Sequence, residues 1–304
     1  MKSGTLAFIP HRIGQMLRKS GPAPDCALFL RLMLKDGKLK TFLLRFLRLR
    51  VSPDALLRIR RMPLPLEERA RLFCQAISLI NVNETYKTTG RDRTRLADKA
   101  ILKLAACKDA VRLLDIGVSD GSASLTLLSD LPNLREAVLT DLHPLLYAWG
   151  PRLFRVFLDG QQRLLGIKLL GLYIILSFTT PRSAQGFETI STLNPLLSER
   201  LGIAAIRPFN ALCDRLSKPV DIIKCANVLN RAYFSEADLR TAVANLALSL
   251  VEAGHLVISQ NNARYTGGEA YFILKRQGPD MVLEEEQGGH EVLRLFQGDG
   301  EGRT

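Results

Sequence analysis

The residues best suited to chemistry lie in LLDIGVSDGSASLTLL, Leu113 to Leu128. An apolar run stops at Asp115, glycines follow at positions 117 and 121, and apolar periodicity resumes. This is the pattern of a strand, a tight loop and a helix, the place where α/β proteins hold nucleotide-like ligands. Without side chains, Gly117 and Gly121 let the backbone approach a ligand closely. A Walker phosphate loop would need GxxxxGK with Ser or Thr next, and no lysine follows Gly121. A dinucleotide fingerprint counted from Gly117 wants glycine at 119 and 122, where this chain has Ser119 and Ser122. A third pattern, acid-x-Gly-x-Gly-x-Gly, fits Asp115, Gly117, Ser119 and Gly121, with serine in place of the middle glycine.

The elements that must position this loop can be read from periodicity. VRLLDIG is a buried strand, and REAVLTDLHP holds the second. IAAIRPFNA and VDIIKCANVL form the third and fourth, and GHLVISQN the fifth. SEADLRTAVANLALSLVEAG is an amphipathic helix between the last two, closed by Gly254. Apolar runs of this length separated by helices predict a parallel sheet covered on both faces. The segment EAYFILKRQGPDMVLEEEQGGHEVLRLF predicts antiparallel strands, with turns at Gly278-Pro279 and Gly288-Gly289. Residues 297–304 read as a flexible tail.

Two regions fall outside this alternation. Residues 1–90 read as short helices. Leu39, Phe42, Leu43, Phe46 and Leu47 share one face of a helix over Leu39–Arg50, Ser52 offers an N-cap with Pro53 at the first helical position, and further helices run through LEERARLFCQAISLI and DRTRLADKAILKLAAC. Between the second and third strands, residues 145–195 form an insertion far longer than one connecting helix. Its Asp159-Gly160 pair predicts a hairpin turn, and LLGIKLLGLYIILSF, too short to span a bilayer, is expected as a buried helix, with a membrane-contacting segment as the alternative. The main domain is then 91–296.

Composition narrows the class. Residues 1–100 carry 21 Lys and Arg against 8 Asp and Glu, a net +13, and the rest 21 against 22, a net −1. That asymmetry suits an anionic partner such as a membrane surface, or else a solvated helical cap. Nucleic acid is the lesser candidate, because the Leu39–Arg50 stretch offers only Phe42 and Phe46 as aromatics, both on its apolar face. Five cysteines without a CxxC pair, and four histidines without metal spacing, point away from a disulfide framework and from zinc. The first residues lack the apolar core of a secretory signal, so a cytoplasmic chain, peripheral to a membrane at most, is expected.

LDIGVSDGS resembles motif I of class I S-adenosylmethionine-dependent methyltransferases. VLTDLHP resembles their second motif, and DIIKCANVLNRAYFSEADL is similar to the fourth-strand motif of chemotaxis-receptor methyltransferases and related bacterial enzymes. LVEAGHLVIS matches the turn into strand five. The resemblance covers about Arg91 to Phe296 and implies a Rossmann-like α/β sheet with antiparallel terminal strands, carrying the N-terminal helical region and the insertion. It implies S-adenosyl-L-methionine as cofactor. Asp115 would then lie near the ligand's ammonium group. Asp141, with Leu142 beside it, would accept from the ribose hydroxyls, Asn210 and Ala211 would contact adenine, and Asn227 would face the transferred methyl. Asparagine at 210 departs from the acid often found there.

The acceptor is not named by these residues. Methyl transfer from a sulfonium is an in-line displacement, so alignment and water exclusion matter most, and a base is needed only for a protonated acceptor. His143, Arg231 and Tyr233 are candidates at the mouth, each with an ordinary structural alternative. No Asn/Asp-Pro-Pro-Tyr tetrad follows strand four, which disfavours a nucleic-acid-base amino-methyltransferase. The expectation is methyl transfer to a small-molecule acceptor, apolar or amphipathic in view of the insertion. The alternative is a methyltransferase-like domain that binds a partner or membrane without catalysis.

Overall fold

The computed structural model describes residues 23–24, 51–82, 85–87, 89–175 and 184–297. The helix expected over Leu39–Arg50 and the C-terminal tail beyond residue 297 lie outside them. In chain order, strand β1 (Ala23–Pro24) precedes helices α1 (Asp54–Arg60) and α2 (Leu66–Ile77). The two-residue strands β2 (Asn81–Val82) and β3 (Thr85–Tyr86) follow, then α3 (Arg95–Ala106). Strand β4 (Val111–Ile116) leads through a 3-10 turn into α4 (Leu125–Asp130) and β5 (Leu134–Asp141). Then come β6 (Leu145–Trp149), β7 (Phe154–Leu158), β8 (Leu164–Leu169), β9 (Leu172–Ile175), β10 (Glu188–Ser191) and α5 (Pro195–Leu201). Then follow β11 (Arg207–Pro208), β12 (Val220–Ala226), α6 (Glu236–Ala247), β13 (Leu250–Asn261), β14 (Glu269–Gln277), β15 (Asp280–Gln287) and a 3-10 turn at Leu293–Leu295. Among the described residues no helix is long and apolar enough to cross a membrane.

The chain divides into two units, 1–89 with 145–196, and 90–144 with 197–304. The N-terminal region and the insertion, which sequence periodicity leaves as separate parts, therefore belong together.

The second unit holds the expected sheet, in the order β11-β5-β4-β12-β13-β14-β15. Its first five strands are mutually parallel, and β14 and β15 return antiparallel around the Gly278-Pro279 turn. Leu114, Ile116, Ile223, Leu256 and Phe272 from the strands meet Leu239, Val243 and Leu246 of α6 in one core. A reciprocal capping box starts α6: Ser235 Oγ accepts from the Asp238 N–H, and the Asp238 carboxylate accepts from the Ser235 N–H, each at 3.2 Å.

Two local expectations are corrected here. Helix α6 stops at Ala247, not Gly254, because Leu250 already pairs with Val220 and the next partners are Ile222 and His255. Residues 251–254 bulge out of the ladder, and Gly254 sits where a Cβ would lie 2.9 Å from the Val251 carbonyl oxygen. The third strand shrinks to Arg207–Pro208, since Pro208 has no N–H to extend the ladder.

The first unit is built on a six-stranded sheet ordered β1-β9-β8-β7-β6-β10, antiparallel throughout. The hairpin predicted at Asp159-Gly160 is the β7–β8 turn, where Asp159 Oδ1 accepts from the Gln161 and Arg163 N–H groups at 2.8 and 2.9 Å. As far as Ile175, where the described residues of the run end, the segment expected as a helix is strand instead. Leu170 (φ +47°) and Gly171 (φ +87°) make a left-handed two-residue turn that splits it into β8 and β9. Helix α1 begins at Asp54 with Pro53 at its cap, one residue later than predicted. Leu56, Ile59, Phe73 and Ile77 of α1 and α2 meet Leu146, Phe157 and Tyr173 of the sheet. Lys168, near the end of β8, is buried with its ammonium 2.9 Å from Asp54 Oδ2, while Asp54 Oδ1 lies 2.9 Å from Arg155.

Candidate active site

The loop after β4 is held in an alternating left-handed path. Gly117, Ser119 and Gly121 have φ of +74°, +60° and +81°. The serine thus takes the conformation that glycine would take in the pattern, at a cost of about 1–2 kcal/mol. The Gly117 and Val118 N–H groups donate to the Thr140 carbonyl at 2.8 and 3.1 Å, and the Gly121 N–H donates to the Val118 carbonyl at 2.8 Å. Asp141 closes the loop. Its Oδ2 accepts from the Ser119 N–H at 2.9 Å and its Oδ1 from the His143 N–H at 2.8 Å. Asp120, fully buried and not singled out by the motif, accepts from both the N–H and the hydroxyl of Ser122 through Oδ1, at 2.9 and 2.8 Å.

The space beside both glycines is already furnished. A Cβ at Gly117 would lie 2.2 Å from Val228 Cγ2, and one at Gly121 2.3 Å from Leu197 Cδ1. In this structure the missing side chains therefore admit apolar neighbours, where the sequence suggested room for a ligand.

Beneath the loop lies a buried charge cluster. Asp115 accepts from the Ser124 hydroxyl at 2.7 Å and lies 3.7 Å from the ammonium of Lys224, which points in from β12. The same ammonium is 2.7 Å from Asp98 of α3, whose other carboxylate oxygen receives the Thr94 hydroxyl at 3.2 Å. Glu269, on β14, caps α3 from outside the helix, accepting from the Leu96 and Ala97 N–H groups at 2.9 and 3.2 Å. Burial pushes the carboxyls of Asp98, Asp115 and Glu269 above their ordinary range, although Lys224 opposes it in each case. Burial pulls Lys224 down, but Asp115, Asp98 and Glu269 outweigh it, and the ammonium ends above its usual value. The carboxylate expected to face a ligand's ammonium thus already faces one from its own chain.

The remaining candidates cluster by topology. Strands β11, β5, β4 and β12 are neighbours running the same way, and Asn210, Asp141, the glycine loop and Asn227 follow their C-terminal ends. That edge is where ligands of such sheets bind. Asn210 Oδ1 accepts from the Leu212 N–H at 3.0 Å, an Asx turn, and Ala211 is buried. Asn227 (φ +60°) forms a reciprocal pair with Asn261. Its Oδ1 accepts from the Asn261 N–H at 2.7 Å, and its amide donates to Asn261 Oδ1 at 2.9 Å. Leu142 is exposed, and His143 is buried. Arg231 pairs with Glu236 at 2.7 Å, and Tyr233 is exposed. Burial pushes the Cys225 thiol up to about 12, so it is no nucleophile at neutral pH. A cavity of about 420 Å³ runs along the outer edge of β5 between Leu134 and Leu139, bounded by residues 201–205 and Arg207.

Lys224, Asp98 and Glu269 are the site-adjacent residues that motif reading misses. One signal was available: a lysine inside the apolar strand DIIKCANVL needs a buried partner.

No family model matches the chain, and no curated protein does. Solved structures that it is similar to include the YcgJ protein from Bacillus subtilis, at 16% identity over 56% of this chain and 52% of that one, with a TM-score of 0.33. The amino pentose methyltransferase CalS10 from Micromonospora echinaspora is 16% identical over 62% and 66%, with a TM-score of 0.33. An S-adenosylmethionine-dependent methyltransferase from Clostridium acetobutylicum is 11% identical over 69% and 81%, with a TM-score of 0.37. The chain spans about half the length of the first of these and about two thirds of the second.

Proposed function

We propose that this chain binds S-adenosylmethionine at the loop after β4 and transfers its methyl group to a small-molecule acceptor. The observation that carries the reading is the loop itself: three alternating left-handed residues, 117, 119 and 121, tied by the Ser119 N–H to an aspartate that ends the neighbouring parallel strand. The donor set fits the cofactor. A carboxylate offers about four acceptor sites, so Asp141 can hold two loop amides and still suit a vicinal diol. The cluster beneath the loop sets three carboxylates against one ammonium, a sign that favours a cationic ligand. When bound, the cofactor supplies a methyl group already activated by a sulfonium.

The chain's own part is then to orient and to exclude water. Asp141 and the loop amides fix the nucleoside end, and the buried cluster biases the loop toward positive charge. Asn227, locked by Asn261, presents a fixed backbone at the end of β12. Leu197 and Val228 give the loop apolar walls. An apolar or amphipathic acceptor accords with those walls.

Calorimetry with S-adenosylhomocysteine tests the reading. Saturable heat is expected, with Asp141→Ala weakening it by about 1–3 kcal/mol as one or two hydrogen bonds are lost. Release of S-adenosylhomocysteine from S-adenosylmethionine in an acceptor screen then tests turnover.

A second reading is favoured by one specific observation. Asp115, Asp141, Asn210 and Asn227 all have hydrogen-bonding work inside the chain. On that reading the domain binds a partner without catalysis, and neither S-adenosylmethionine nor S-adenosylhomocysteine gives heat.

A further inference from the structure

An antiparallel sheet with one face on a core ordinarily turns a polar face to water. The sheet of the first unit does not. Its core face carries Phe157, Tyr173 and Ile175, together with the buried Lys168. The opposite face follows from the register, since alternate residues share a side. Phe154 pairs with Leu169, and Leu169 with Leu172; one step along, Val156 pairs with Ile167, and Ile167 with Ile174. Trp149 stands opposite Val156, with the Phe187 ring 6.4 Å from its own. Tyr147 and Thr189 extend the row across β6 and β10, with Ser191 opposite Leu145 one step further along.

This face is open at its Trp149 and Leu172 end, while Leu158, opposite Tyr147, is buried. Trp149 is 49% exposed, Leu169 48% and Leu172 50%. At the same end of the sheet the β6–β7 and β8–β9 turns are joined by a bond from the Leu170 N–H to the Leu153 carbonyl at 2.8 Å. They carry outward two leucines, Leu170 at 73% exposure and Leu153 at 64%. Leu170 holds φ +47°, a conformation that asparagine or glycine adopts with less strain, so the leucine is kept at that tip against its backbone preference. A contiguous patch of this kind marks an interaction surface.

Charge decides what covers it. The unit that owns this sheet has 22 Lys and Arg against 8 Asp and Glu, a net +14, while the other unit has 20 against 22, a net −2. A second copy of so basic a unit would be repelled, whereas an acidic layer with an apolar interior meets both properties at once. We infer that this face and its two leucine-tipped turns seat on an anionic phospholipid bilayer, the tips entering the headgroup boundary. The inference is independent of methyl transfer.

Trp149 is the chain's single tryptophan, so its fluorescence reports on this face alone. The full chain is titrated with vesicles of phosphatidylcholine, with and without phosphatidylglycerol, at two salt concentrations. Anionic vesicles should shift Trp149 emission to the blue and make it quenchable by brominated lipid, and added salt should weaken the effect. The double variant Leu153→Asp with Leu170→Asp should lower partitioning about tenfold or more. Aspartate tolerates the left-handed turn better than leucine, so the fold is retained. Leu248→Asp, an exposed leucine of the other unit, should leave binding unchanged. Unshifted emission overturns the inference, as does equal binding to neutral vesicles or equal loss in Leu248→Asp. Sedimentation showing a reversible dimer that the double variant abolishes, without vesicle binding, would also overturn it and assign the face to self-association.

Discussion

Lys224→Met removes one ammonium and keeps most of the stem, and its consequences follow from four distances. The Nζ lies 2.7 Å from Asp98 and 3.7 Å from Asp115, with only the Thr94 and Ser124 hydroxyls, at 3.2 and 2.7 Å, left to solvate those carboxylates. Lys224 and Asp115 are almost wholly buried. Breaking such a pair on one side costs about 3–5 kcal/mol, roughly a fifth or more of the stability of a typical domain. The loss should depend on pH. Burial already raises Asp98 and Asp115, and without Lys224 only the Thr94 and Ser124 hydroxyls oppose that rise. The folded variant then binds more protons than its unfolded chain, so its stability recovers as pH falls. Lys224 itself is raised above 10.5 in the parent, so its contribution is complete through the neutral range and is lost only in strong alkali. Urea unfolding at pH 8 and pH 5 is the assay. The deficit should be large at pH 8 and smaller at pH 5, and adding Asp98→Asn should recover part of it at pH 8. A deficit below about 1 kcal/mol at pH 8, or one equal at both pH values, would refute the compensation described for this cluster.

Gly121→Val should cost about 2–5 kcal/mol, from the left-handed φ of +81° and the 2.3 Å approach to Leu197 Cδ1. In a Gly121→Ala background, Leu197→Ala should return part of the loss in thermal melts. His290, buried against Phe272 and accepting from the Val292 N–H at 3.3 Å, is lowered to about 4 by burial, with Glu291 opposing. A depressed histidine contributes stability that is present above its unfolded value and lost as pH falls. About 3 kcal/mol should therefore disappear between pH 6.5 and 4. His290→Gln should lack that acid-labile component, and an NMR titration of the ring should place its midpoint near 4.

The loop was legible because each of its signals is local. A strand ending at Asp115, glycines at 117 and 121 and an apolar helix face all fall within LLDIGVSDGSASLTLL. The aspartate that closes the loop was found because it ends the next strand. What escaped was long-range. Lys224 meets Asp98, and Lys168 meets Asp54, across 126 and 114 residues, distances over which no periodicity carries information. Each lysine did announce itself by interrupting an apolar run, and each proves almost fully buried. The insertion was misread for a related reason. In LLGIKLLGLYII both faces are apolar, so the period-2 signature of a half-exposed strand is missing and the run imitates a buried helix. Only the Leu170-Gly171 turn betrays the strands.

The interleaving of the two units also sets an order of assembly during synthesis. Helices α1 and α2 present Leu56, Ile59, Phe73 and Ile77 to a core whose other half, from Leu146 to Ile190, is still untranslated when they emerge. At ordinary elongation rates that wait lasts roughly 6–20 s. Strand β4 likewise waits for β12, its second neighbour, until a 52-residue excursion into the other unit is complete. Nascent chains should therefore lean on holding chaperones through the middle of translation, and proteolysis in that window should outrun folding. The same threading means that no single cut releases the first unit whole, and a nick within residues 145–196 leaves each fragment with half of both cores.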